Sequence, residues 1–139
     1  MSIRQISIAY VSTAVVFLAL DAVWLGTMAY RLYRPAIGHL MADRFSLAPA
    51  VLFYLLYVAG AVVFAVMPAL ASGRWTTALG LGALLGLLAY ATYDLTNQAT
   101  LSVWATKLTV LDIAWGTVLT AASATGGFFA ARWAEGKFG

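Results

Sequence analysis

The stretch Ile6–Tyr30, ISIAYVSTAVVFLALDAVWLGTMAY, decides the fold of this chain. It is longer than the roughly 20 residues that a helix needs to cross a bilayer. Asp21 is the one charged residue inside it. A cleaved signal peptide has a shorter apolar core and a cleavage site of small residues. We therefore predict a retained first transmembrane helix that carries a carboxyl group into the membrane.

Three further stretches have the length and apolar character of membrane spans. With the first, the predicted helices cover about residues 6–30, 48–70, 75–97 and 107–132. The chain of 139 residues is 63% hydrophobic and 9% charged, with a mean hydropathy of +0.90. Soluble domains carry about 25% charged residues. The predicted fold class is all-α, an integral membrane bundle of four transmembrane helices in a single domain over residues 1–139.

The connection between the first two helices is the one sizeable loop, and its pattern predicts a short interfacial helix. Pro35 suits the first position of a helix. After it, Ile37, Leu40, Met41 and Phe45 fall on one apolar stripe. Such a helix would lie in the plane of the membrane interface. The alternative is an ordinary loop with a few anchoring apolar residues.

Composition excludes several classes of function. There are no cysteines and one histidine, so thiolate chemistry and metal sites built from cysteine or several histidines are excluded. Carboxylate oxygens could still hold a hard cation, but we assign no metal site, and the sequence identifies no cofactor. The eight Lys and Arg residues are dispersed near the ends of apolar segments, which argues against nucleic acid. Four fall on each side of the membrane, so the orientation stays open.

Three of the five acidic residues, Asp21, Asp94 and Asp112, lie inside predicted helices. A charged carboxylate at the bilayer centre costs roughly 2.5–3.5 kcal/mol on insertion scales, so such residues usually face a protein interior and mark functional sites. The first and third helices run in one direction and the fourth runs in the other. All three acids therefore fall in the half of the membrane next to the first loop, and we predict them as catalytic candidates.

Aromatic residues accompany each acid. The segment Leu20–Trp24, LDAVW, is echoed by Leu111–Trp115, LDIAW, and each places Trp on the same face as Asp. In the third helix, aromatic and amide side chains surround Asp94. The predicted ligand-binding residues are Trp24, Tyr90, Tyr93, Asn97, Trp115 and, in the loop, His39. The alternative is structural, with the aromatics as an interfacial belt and the acids paired with loop cations or helix ends.

Small residues recur at a spacing of four in the last two helices. Gly82 and Gly86 form one pair, and Ala122, Gly126 and Ala130 form a longer stripe. Small residues let helix backbones approach closely in a membrane. They predict close helix contacts, either within one chain or between copies in a homo-oligomer.

The segments LDAVWLG (20–26), AYATYDLTN (89–97) and LDIAWG (111–116) carry a resemblance that extends over essentially the whole chain. The chain resembles an uncharacterised bacterial family of small predicted membrane proteins, classed as a domain of unknown function. The resemblance implies a multi-pass protein of the bacterial inner membrane with four helices. It implies no activity.

Three functions fit these features. The first is binding or modifying a lipid or other amphipathic small molecule in an acidic, aromatic-lined pocket in one leaflet, with membrane lipid as the partner. The second is a non-enzymatic assembly or accessory subunit that uses the small-residue stripes as interfaces. The third is a small proton-coupled exporter. The sequence does not decide whether the protein is an enzyme.

Overall fold

The computed structural model describes residues 1–138, and side chains over residues 1–136; Gly139 and the side chains of Lys137 and Phe138 lie outside the described residues. This part of the chain is helical and has no strand. The α-helices are α1 Ile3–Met28, α2 Arg34–Ile37, α3 Leu47–Ala61, α4 Met67–Ser72, α5 Trp75–Thr100 and α6 Thr106–Phe138. The π-helical turns Ala29–Tyr33 and Val62–Val66 join α1 to α2 and α3 to α4, and a 3-10 turn, Gly38–Leu40, follows α2.

Four continuous helical stretches within the described residues are long and apolar enough to cross a membrane. They are Ile3–Leu40, Leu47–Ser72, Trp75–Thr100 and Thr106–Gly136. The prediction of an all-α fold with four membrane-spanning helices is therefore confirmed. The first stretch ends at Leu40, ten residues past its predicted end, and the other three stay within four residues of their predicted bounds. Apolar periodicity does not mark where the last helical turn ends.

A π-helical turn precedes Pro35 and another precedes Pro68. In the first of these turns the N–H of Arg34 donates to the carbonyl of Ala29, five residues back. Proline has no N–H, and its ring clashes with the carbonyl four residues before it in an α-helix. The wider turn relieves this clash, so each helix continues past its proline instead of ending there.

A short helical segment, α2 with its 3-10 turn, lies where the sequence predicted a short interfacial helix, but it continues the first helix instead of standing apart from it. The first helix runs through its π-helical turn into α2 and ends at the 3-10 turn, and residues 41–46 are not helical. Met41 and Phe45 are exposed and lie outside any helix, so they do not share a stripe with Ile37. The physical reason is that Pro35 sits inside a continuous helix, where the preceding π-helical turn accommodates it, and does not begin a new one.

The central helix is α6, which packs most extensively against α5 and then against α1. A Cβ atom added at Gly82 or Gly86 would meet the backbone of α6, and at Gly86 it would collide with the carbonyl group of Gly116. A Cβ atom at Gly126 would lie 3.0 Å from Val16 of α1. These glycines therefore make close contacts between helices of the same chain.

The bundle has two unlike halves. The end that holds both chain termini has a core of small and apolar residues: Ala9, Val62, Ala65, Val66, Ala69, Ala78, Ala124, Phe128 and Ala131. The three buried aspartates lie towards the opposite end, near the connection between α2 and α3. Helix packing and buried charge are thus separated along the length of the bundle.

Candidate functional site

Asp21 is held by side chains from two other helices. The hydroxyl of Tyr54 in α3 donates to Asp21 Oδ2 at 2.5 Å, and the indole N–H of Trp115 in α6 donates to Oδ1 at 3.2 Å. Asp21 is 8% exposed. Its hydrogen-bond partners are a phenol and an indole, and not the loop Arg or Lys residues of the structural alternative.

Asp112 receives its donor from the far end of the first helix. The hydroxyl of Tyr33 donates to Asp112 Oδ1 at 2.5 Å, and it accepts the indole N–H of Trp24 at 3.0 Å. Residues 24 and 33 are about two and a half turns apart, which places them on opposite faces of a straight α-helix. They meet because the π-helical turn Ala29–Tyr33 redirects the chain.

The two tryptophans of the repeated Asp-x-x-Trp segments stack on each other. The rings of Trp24 and Trp115 are 4.6 Å apart and 4° from parallel. Each tryptophan serves the acid of the other helix: Trp115 donates to Asp21 directly, and Trp24 reaches Asp112 through Tyr33. The stack therefore links the surroundings of two aspartates that lie far apart in sequence.

Asp94 is the most buried of the three acids, with 0% of its surface exposed. Neither of its carboxyl oxygens has a hydrogen-bond donor among the described residues. Its neighbour is a second carboxyl group, that of Asp112. Two adjacent ionised carboxylates repel each other inside a protein, and a hydrogen bond between them requires a proton on one of them. A pair of carboxyl groups that shares one proton avoids this repulsion and can form the hydrogen bond.

A cavity of about 340 Å³ lies beside Asp112. Its lining comes from α3, α5 and α6 and comprises Phe53, Tyr57, Ala89, Tyr90, Tyr93 and Asp112. Phe53 is 47% exposed and Tyr93 is 55% exposed, so the cavity reaches the outer surface of the bundle within the membrane-spanning stretches. The inner wall is fixed by Tyr57, whose hydroxyl lies 2.8 Å from Thr120 Oγ1. The cavity is therefore aromatic along its walls and acidic at its inner end.

Most of the predicted site residues lie in this one region, and two lie apart from it. Asn97 is half-buried one turn beyond Asp94, and its backbone carbonyl accepts from Leu101 at the end of α5. His39 is exposed in the 3-10 turn. Within the described residues, no group of three or more His, Asp or Glu side chains is arranged to hold a metal ion.

The sequence did not identify some of the phenol groups that contact the acids or line the cavity. Tyr54, which donates to Asp21, and Tyr57, which lines the cavity, both lie on α3, a helix without charged residues. The hydroxyl groups of these two residues could have indicated a buried polar contact, because a phenol inside a membrane span needs a hydrogen-bond partner. Tyr33 gave no such signal, since it was assigned to the loop and only the π-helical turn brings it back to Asp112.

The fold and the buried acids define a class, a small all-helical membrane protein with carboxyl groups enclosed in one half of its bundle. The family described as "Predicted membrane protein (DUF2177)" matches residues 6–129, and the chain belongs to this family. The resemblance identified from the sequence is thus confirmed. No curated protein and no solved structure matches the chain.

Proposed function

We propose that this membrane protein binds an amphipathic small molecule, a membrane lipid or a compound of similar shape, in the cavity beside Asp112. The observation that carries the proposal is the lining of the cavity, in which four aromatic side chains surround one carboxyl group. Ligand sites are typically concave, mostly apolar and furnished with a few polar groups, in volumes of about 300–1,000 Å³. A cavity of about 340 Å³ accommodates a head group and the first part of a chain.

The arrangement of the lining suggests how such a molecule would lie. Phe53 and Tyr93 stand at the exposed edge of the cavity, and Asp112 stands at its buried end. An amphipathic molecule entering sideways from one leaflet would place its head group at Asp112 and Asp94 and leave its chain between the aromatic rings. Asp21 would then act as a positioning residue, because its contacts with Tyr54 and Trp115 tie α1 to the two helices on either side.

The competing function as an assembly or accessory subunit depends on small residues that face other chains. Gly82, Gly86 and Gly126 instead meet neighbouring helices of the same chain. These three glycines are therefore occupied by contacts within the chain and are not free to form a subunit interface. This observation favours ligand binding over an assembly role.

The proposed location is the bacterial inner membrane. It rests on the resemblance of the three Asp-containing segments to a bacterial family of small membrane proteins. Four membrane-spanning helices joined by short connections suit a multi-pass protein of that membrane. Fractionation of bacterial cells that express the tagged protein would test this location.

Native mass spectrometry of the protein purified in a mild detergent tests the binding proposal. We expect a retained adduct of lipid-like mass on the wild-type protein. Ala89→Phe puts a ring into the cavity and should remove the adduct. The matched control is Leu88→Phe, which adds the same ring at an adjacent, lipid-exposed position and should leave the adduct in place.

Two results would contradict the proposal. One is a wild-type protein that carries no adduct and binds no added lipid. The other is an adduct that survives Ala89→Phe as well as it survives Leu88→Phe, because it would then be bound elsewhere on the surface.

A further inference from the structure

We infer that the ligand carries an ammonium head group and that its binding displaces a proton shared by Asp94 and Asp112. This inference rests on the proposed function, because it concerns the inner end of the same cavity. It names the chemical class of the ligand as an amphipathic cation, and it makes the carboxyl pair an exchange site between that cation and a proton.

The first support is the state of Asp94. It is fully buried, and neither oxygen receives a donor from the described part of the protein. A buried polar group without a hydrogen-bond partner costs roughly 1–3 kcal/mol, and more when the group is charged. Asp21, by contrast, has a donor on each oxygen. Asp94 is therefore the acid whose surroundings lack a hydrogen-bond partner, and its neighbour Asp112 lines the cavity.

The second support is that no Lys, Arg or His side chain is buried in the part of the chain that the structure describes. The titratable side chains next to the pair are the phenols of Tyr33, Tyr90 and Tyr93, and Tyr57 lines the cavity together with Asp112. Phenols are neutral at ordinary pH and carry no positive charge in either form. Lys107, the basic residue closest to Asp112 in sequence, is exposed at the start of α6. A positive charge must therefore come from a proton or from a ligand.

The third support is the balance of charge. With one shared proton, the two carboxyl groups together carry one negative charge. When an ammonium group enters and that proton leaves to water, two carboxylates and one cation again carry one negative charge. The buried site keeps the same net charge in both states, so neither state leaves an additional uncompensated charge in the membrane.

The aromatic walls favour the same ligand. Cations are attracted to the faces of Tyr and Phe rings, and the attraction strengthens where water is excluded. The side chains of Phe53, Tyr57, Tyr90 and Tyr93 line the path between the outer surface and Asp112, the member of the pair that lines the cavity. An uncharged alcohol of the same chain length would pack against the aromatic walls equally well, but it has no positive charge that could replace the proton.

Dodecyltrimethylammonium and dodecanol are the probes that separate these cases. The quaternary ammonium has no proton of its own to lose, so any proton released on binding comes from the protein. Binding is measured by calorimetry in non-ionic detergent micelles, and proton release by an indicator dye in weak buffer. We expect about one proton released per cation bound, and an affinity that falls about tenfold for each unit of decreasing pH where the pair holds its proton. We expect no proton release with dodecanol.

Variants of the pair complete the test. Asp94→Asn and Asp112→Asn should each bind the cation at least about tenfold more weakly and release no proton, since an amide cannot take part in the exchange. Asp43→Asn removes an exposed loop carboxyl group and should behave as wild type. Helical content by circular dichroism identifies a variant that fails to fold, and in that case the other variant and the wild-type pH dependence still decide.

Three results would overturn the inference. Equal binding of the cation and the alcohol without proton release would do so while leaving the proposed function intact. Proton release that persists in both variants would place the exchange at other groups. If neither probe binds and no lipid is retained by the purified protein, the inference fails together with the proposed function.

Discussion

Removing the hydroxyl of Tyr54 should destabilise the bundle more than removing the hydroxyl of Tyr57. The two phenols lie on the same helix, α3, one turn apart, and both are half-buried. Tyr54 donates to a carboxylate oxygen of Asp21 at 2.5 Å, whereas Tyr57 lies 2.8 Å from the hydroxyl of Thr120. Tyr54→Phe and Tyr57→Phe are therefore matched in position, in volume and in the atom removed, and differ in the acceptor.

The magnitude follows from the nature of each acceptor. Hydrogen bonds to charged groups contribute about 1.5–3 kcal/mol, and bonds between neutral groups about 0.5–1.5 kcal/mol. Side-chain hydrogen bonds inside membrane bundles average about 0.6 kcal/mol and reach about 1.7 kcal/mol. The bond from Tyr54 is short, partly buried and directed at a carboxyl group, so Tyr54→Phe should cost about 1.5 kcal/mol and Tyr57→Phe about 0.6 kcal/mol.

Reversible unfolding in mixed micelles, with dodecyl sulfate added to a mild detergent and tryptophan fluorescence as the signal, measures both costs. The double variant Tyr54→Phe/Asp21→Asn completes a thermodynamic cycle, and we expect a coupling of about 1 kcal/mol between the two positions. A stronger hydrogen bond from Tyr54 to Asp21 is refuted if Tyr57→Phe costs as much as Tyr54→Phe, or if the effects of Tyr54→Phe and Asp21→Asn simply add.

Three further predictions use the same unfolding measurement. Gly86→Ala should cost about 1–3 kcal/mol because its Cβ atom would strike the backbone of α6; Gly80→Ala, with nothing within 4 Å, should be neutral or slightly stabilising, and the reverse order would contradict the helix contact. Tyr33→Phe should cost about 1–3 kcal/mol because it removes the donor to a buried carboxyl group, whereas Tyr30→Phe, at an exposed position, should stay within about 0.5 kcal/mol. Trp115→Phe keeps an aromatic ring in the stack but removes an indole N–H, so we expect a loss of about 0.5–1.5 kcal/mol; an unchanged transition would show that this hydrogen bond adds nothing.

The sequence predicted the spans well and the role of Pro35 poorly. Apolar runs of more than 20 residues leave few alternatives in a membrane, because every backbone group must be satisfied within its own helix. Pro35 was interpreted as the start of a separate helix. It lies within a continuous helical stretch, because a π-helical turn precedes it. Nothing in the local composition distinguishes a proline that starts a helix from one that a wider turn accommodates.

The sequence also predicted the region of the acids without predicting their partners. Helix direction alone placed Asp21, Asp94 and Asp112 in one half of the membrane, since that depends only on the order of the spans. Which side chains donate to them depends on how the helices rotate about their axes. That rotation is set by close packing at positions such as Gly86 against Gly116, which a pattern of small residues marks but does not orient.

The repeated Asp-x-x-Trp segments predict which side chains lie at the same level once the directions of their two helices are known. Helices α1 and α6 run antiparallel, so three residues forward on one helix correspond to three residues backward on the other. Two copies of the pattern in register then place Trp115 level with Asp21 and Trp24 level with Asp112. That is the crossing which the hydrogen bonds and the ring stack display. A single Asp-x-x-Trp segment would leave one of the two acids without an indole. The repeat is therefore explained by the packing of two antiparallel helices, and an internal duplication of the chain is not needed to explain it.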